Sequence, residues 1–122
     1  MGRFLLVCTA GGLGCGVRYL IALWIGPRPF PFATLAVNVI GSFLIALVLE
    51  ISLRVASFPP NLRLALTTGF LGGMTTYSSF NYETTTLAAA GSSGRALLNV
   101  GATLIGCLLA GFAGLWLARR LT

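Results

Sequence analysis

The sequence has no histidine and no lysine, and Glu50 and Glu83 are its only carboxylates. Without histidine, paired acids in one segment or metal-ligand spacing, general acid–base and metal-assisted catalysis lack their usual groups, so an enzyme is not expected. The missing lysine also excludes a P-loop, and G-G-L-G-C-G at 11–16 does not fit the G-x-G-x-x-G dinucleotide pattern. Cys8, Cys15 and Cys107 are odd in number, lie in apolar runs and form no C-x-x-C pair, which speaks against a disulfide framework and for small core residues. The opening F-L-L-V-C-T-A runs into glycine-rich sequence without an A-x-A cleavage site, so no removed signal peptide is read. Leu6 stands where myristoylation needs Ser or Thr.

Charge is scarce in general. Charged residues make up 8% of the chain and hydrophobic ones 57%, against roughly 25% charged in an average soluble domain. That composition implies an integral membrane protein. Its 122 residues make a single domain, 1–122, too small to enclose a wide pore alone, so a conducting or binding site is expected between copies of an oligomer. All eight positive charges are arginines and the net charge is +6, which fits topology and contact with membrane lipid, or attraction of an anion. So few polar residues leave no soluble face for nucleic acid.

Four apolar segments, about 4–25, 32–53, 62–90 and 96–118, each reach the ~20 residues that a membrane-crossing helix needs. Breaker-rich turns separate them: G-P-R-P-F-P at 26–31, R-V-A-S-F-P-P-N at 54–61 and G-S-S-G at 91–94. Arg3, Arg54, Arg63, Arg119 and Arg120 fall on one side, Arg28 and Arg95 on the other, and Arg18 lies inside the first span. So modest a bias permits insertion in both orientations. Ala102, Gly106, Ala110 and Gly114 form a small-residue stripe on the fourth span, and Gly12 with Gly16 and Gly69 with Gly73 repeat the spacing. Backbones are expected to approach closely there.

Inside hydrocarbon every polar group must find a partner or line a wet path. Thr34, Asn38 and Ser42 on the second span fall within an arc of roughly 80° at 100° per residue, a donor-bearing face. The fourth span adds Asn99 and Thr103, which fit either interhelical hydrogen bonds or such a path. Most informative is G-F-L-G-G-M-T-T-Y-S-S-F-N-Y-E at 69–83: Gly72-Gly73 followed by Thr75-Thr76 and Ser78-Ser79 predicts a break near 73–78, at the centre of the third span. A broken helix at membrane depth is tolerated where it is buried in protein or lines a cavity, and its ends offer carbonyls to cations and N–H groups to anions.

A-G-G-L-G-C-G-V-R-Y at 10–19, T-L-A-V-N-V-I-G-S-F at 34–43 and the stretch at 69–83 resemble the three signature stretches of the CrcB/Fluc fluoride channel family, over essentially the whole chain. The resemblance implies an all-α membrane protein of four helices, the third broken at its centre, assembled as a dual-topology antiparallel homodimer in the bacterial or archaeal inner membrane. It implies passive, selective export of fluoride through two pores at the subunit interface. Asn38 and the rings of Tyr77 and Phe80 match the family's pore-lining positions, and Ser78, Glu83 and Thr103 match further positions along the track. The backbone carbonyls of Gly72 and Thr75 match those that hold a central structural Na⁺. Tyr77, Asn81 and Asn99 depart from the family's usual phenylalanine, serine and tyrosine.

The residues suit this chemistry by themselves. Fluoride is small and strongly hydrated, and a pore must replace its water with donors: the Asn38 amide, the hydroxyls of Ser42 or Ser78, and electropositive ring edges. Tyr77 and Phe80, three apart, share a helical face. The main alternative is a small dual-topology multidrug or guanidinium exporter, but such proteins carry a carboxylate in the first span, and this one has none. A purely structural membrane subunit leaves the break and the Asn38 face unexplained.

Overall fold

The computed structural model describes every residue from Met1 to Thr122. All regular structure is helical: α1 (Gly2–Ile25), α2 (Phe32–Arg54), α3 (Pro60–Leu64), a π-helical stretch Ala65–Leu71, α4 (Gly72–Met74), α5 (Tyr77–Ala89) and α6 (Ser93–Leu121). Local chemistry sets the ends. Gly26 follows α1 at φ 70°, a conformation that suits glycine, and prolines 27, 29 and 31 then forbid helix until α2. Pro60 opens α3 at a position where its missing N–H costs nothing, and Gly91 at φ 76° turns the chain between α5 and α6.

By length and hydropathy, α1, α2 and α6 can each cross a membrane. The third crossing is composite. It runs from α3 through the π-helical stretch and α4, is interrupted at Thr75-Thr76, and resumes as α5. The helices outrun the apolar segments, α1 starting at Gly2 and α6 spanning Ser93–Leu121, because hydropathy marks only the part in hydrocarbon while the backbone stays helical into the headgroup layer. The π-helical stretch has no counterpart in the sequence expectations. In it the N–H of Gly72 reaches the carbonyl of Thr67, five residues back.

Packing is governed by glycines at two seams. Along α2 and α6, a Cβ at Gly114 would meet the Phe43 carbonyl oxygen, and one at Gly106 would lie 3.2 Å from Val39 Cγ2. These glycines of the small-residue stripe therefore seat α6 on α2 of the same protomer. Along α1 and the third crossing, a Cβ at Gly14 would meet the Phe70 carbonyl oxygen, and one at Gly73 the Gly11 carbonyl oxygen. The α1 glycines at this seam are Gly11 and Gly14. Gly12 and Gly16, expected from their spacing, have nothing within 4 Å, because a four-residue repeat marks a face without saying what it meets.

Val37, Leu71 and Met74 form the buried core, with Val17, Ile21, Leu44 and Phe70 against it. Only 13 of 122 residues are buried, so most apolar side chains, Leu13, Trp24 and Phe112 among them, point outward. Cys8 and Cys15 are exposed as well, contrary to their expected place in the core, although the Cys15 thiol reaches the Gly73 carbonyl at 3.4 Å. An apolar run in a membrane helix faces lipid as readily as it faces its neighbours, so hydrophobicity does not mark the inside. At one end of the bundle Arg3 Nε donates to Asn61 Oδ1 (3.2 Å), and Glu50 pairs with Arg54 and Arg119.

Candidate functional site

The interruption of the third crossing is two residues long. Thr75 (φ −82°, ψ 153°) and Thr76 (φ −153°, ψ 118°) are extended, and Thr76 caps α5 by accepting a hydrogen bond from the N–H of Ser79 on its Oγ1, at 3.2 Å. Asn38, buried on α2, clasps this turn. Its Oδ1 accepts from the N–H of Thr76 (2.8 Å) and its Nδ2 donates to the carbonyl of the same residue (2.9 Å). The opposed N–H and C=O fix which way the amide points. Gly41, one turn further along α2, makes room for the clasp: a Cβ there would meet Thr75 Cγ2.

The clasp redistributes backbone hydrogen bonds. In a continuous α-helix the N–H of Thr76 would bond to the carbonyl of Gly72, and the N–H of Ser79 to that of Thr75. Asn38 takes the first donor and the Thr76 hydroxyl takes the second. The Gly72 and Thr75 carbonyls thereby lose their helical partners. No group of His, Cys, Asp or Glu side chains is placed to hold a metal ion.

Beside the break lies an open cavity of about 650 Å³ whose lining includes Asn38, Ser42, Tyr77, Phe80 and Thr103. Residues chosen from three separate spans thus converge on one space. Within it the donors differ in freedom. Asn38 has spent one of its two amide hydrogens and keeps the other. Ser42 Oγ donates to the carbonyl of Asn38 at 2.7 Å, so its hydrogen is already used. Thr103 lines the cavity, but its Oγ1 is buried beneath the wall with no hydrogen-bond partner. The rings of Tyr77 and Phe80 are 5.6 Å apart and tilted by 54°, with Tyr77 77% exposed on the single protomer.

Two expected residues lie elsewhere. Ser78 is exposed, its Oγ 3.2 Å from the Thr76 hydroxyl, and does not line this cavity. Glu83 lines a separate groove of about 320 Å³ together with Arg18 and Thr34. There its Oε1 accepts from the Thr34 hydroxyl at 2.6 Å, while Oε2 is buried and unpartnered. Thr76 lines both the cavity and the groove. Asn99 divides from Thr103: its Nδ2 donates to Thr84 Oγ1 at 2.9 Å and ties α6 to α5. Sequence reasoning read Thr76 only as part of the break and missed its place in the clasp, whose signal is N-x-x-G on α2 facing T-T on the third crossing.

The family model described as CrcB-like protein, Camphor Resistance (CrcB), matches residues 5–115. Among curated relatives, a fluoride-specific ion channel FluC of Anaeromyxobacter sp. (strain K) is 50% identical over 125 residues, covering 99% of this chain and 98% of its own. The protein of the same name from Geobacter metallireducens is 48% identical over 118 residues, covering 94% and 95%. That from Geobacter sulfurreducens is 47% identical over 124 residues, covering 99% and 100%.

Proposed function

This chain belongs to the CrcB-like family, and from that premise we propose that it is a fluoride-selective channel which exports fluoride passively and so lowers its toxicity in the cytoplasm. It is a multi-pass membrane protein, with the bacterial or archaeal inner membrane as the proposed site. The observation that carries the reading is the convergence of Asn38, Tyr77, Phe80 and Thr103 on one cavity beside a clasped helix break.

A strongly hydrated anion enters such a space only if its water is replaced. The free amide hydrogen of Asn38 and, once it rotates toward the cavity, the unpartnered hydroxyl of Thr103 offer neutral donors, and the ring edges of Tyr77 and Phe80 offer positive electrostatic potential without competing acceptors. Neutral donors bind weakly enough for release, as conduction requires. Ser42 contributes when it rotates off the Asn38 carbonyl. Glu83 belongs to the approach, which continues past Thr76 into the Glu83 groove, and we place Ser78 there through its hydroxyl contact with Thr76. Such a carboxylate stands near an anion path without opposing it only while its charge is neutralised.

The complete pore needs a second copy. The exposure of Tyr77 on the single protomer supports a homodimer in which each pore is closed by the partner, and the weak arginine bias supports an antiparallel, dual-topology arrangement. The Gly72 and Thr75 carbonyls, released from helical bonding, fit a hard monovalent cation, and two copies offer four such oxygens to a central Na⁺. When bound, the ion supplies structural charge compensation for the broken helix ends.

Fluoride efflux from liposomes, followed with an ion-selective electrode, tests the path. Asn38→Asp replaces the amide donor with an acceptor, and Phe80→Ile removes a ring edge. Each is expected to lower efflux at least tenfold, while Tyr77→Phe keeps it. Normal efflux through both Asn38→Asp and Phe80→Ile would move the path elsewhere.

A further inference from the structure

The end of the bundle that gathers the C-termini of α2 and α6 holds an ion cluster that the pore does not use. A single carboxylate oxygen, Glu50 Oε1, accepts from Arg54 Nε at 2.8 Å and from Arg119 Nε at 3.0 Å. Both contacts use the inner nitrogen of the guanidinium. The terminal nitrogens donate to no other group of the chain, and the two arginine side chains remain 43% and 60% exposed while that of Glu50 is 15% exposed. One carboxylate oxygen therefore holds two guanidiniums beside it through their inner nitrogens, with their outer N–H groups free of bonds to the chain and one positive charge left over. Arg120 adds another on the same helix end, stacked 5.4 Å over the Trp116 ring.

A pair of guanidiniums with free outer N–H groups matches the oxygens of a phosphate. The surroundings specify which phosphate. Leu53, Trp116 and Leu121 are 74%, 60% and 65% exposed around the cluster, so apolar surface adjoins the charge, and a tryptophan beside an arginine at a helix end is typical of the headgroup layer. We propose that Glu50 fastens Arg54 and Arg119 into a binding site for the phosphate of an anionic phospholipid, whose acyl chains cover Leu53, Trp116 and Leu121. The residual charge selects anionic over zwitterionic headgroups, since the latter carry their own cation.

Native mass spectrometry of the detergent-purified protein, titrated with phosphatidylglycerol or with phosphatidylcholine of the same chains, tests the site without any substitution. Phosphatidylglycerol is expected to bind at least fivefold more tightly; equal binding of the two overturns the proposal. Arg54→Gln/Arg119→Gln should erase that preference, while Arg28→Gln, at the opposite end, should keep it. Glu50→Gln keeps an acceptor for both Nε groups and removes the opposing charge, so it should bind phosphatidylglycerol at least as well as the wild type. Retention of the preference by the double variant, or its displacement by millimolar inorganic phosphate, overturns the assignment to a lipid.

Discussion

Asn38 shows how much one buried amide can do at membrane depth. Its oxygen and one amide hydrogen hold the peptide groups of Thr76, and the other hydrogen stays available to the cavity. Each neutral hydrogen bond contributes about 1 kcal/mol net, and an unmet peptide group in hydrocarbon costs several times that. Thr76 complements it from the other side by capping α5. Thr76→Val deletes the cap while nearly preserving shape, and it is expected to cost about 1 kcal/mol, read as a lower melting temperature in detergent, with weaker fluoride flux. Unchanged melting and flux would show that the cap is dispensable. Asn38, Ser42 and Thr103 were legible in the sequence because polar side chains in an apolar span are conspicuous. The clasp was not, since it joins residues 38 positions apart whose meeting depends on how α2 lies against the break.

At the scale of the element, the third crossing combines two departures from α-helix, a π-helical stretch and an extended pair, within Ala65–Thr76. The extended pair was legible, because Gly-Gly followed by hydroxyl-bearing residues weakens helix from both directions. The π-helical stretch was not: A-L-T-T-G-F-L reads as ordinary helix, and the extra residue per turn shows only in the backbone bonding. Gly73→Ala places a methyl against the Gly11 carbonyl oxygen, whereas Gly12→Ala points into open space on the protomer. Overpacking of this kind costs about 1–3 kcal/mol. Gly73→Ala should therefore melt earlier than wild type in detergent, and Gly12→Ala should melt with it. The reverse order would contradict the seam described for α1 and the third crossing.

For the whole molecule, composition and segment length were enough to read a four-span membrane protein, since hydrocarbon permits few alternatives to helix. Assembly is less legible. The small-residue stripe on α6 serves the α2 seam within one protomer, and the partner's contribution is inferred from the exposed Tyr77 beside the cavity. If a central Na⁺ bridges the Gly72 and Thr75 carbonyls of two copies, exhaustive replacement of sodium by a bulky organic cation should abolish flux and lower the melting temperature; unchanged flux and melting would count against the site. The central claim, that neutral donors and ring edges beside the break pass fluoride selectively, is tested most directly by the wild-type protein in liposomes loaded with fluoride or with chloride. The account predicts rapid fluoride efflux with no chloride efflux above that of protein-free vesicles. Equal flux of the two ions, or flux of neither, would contradict it.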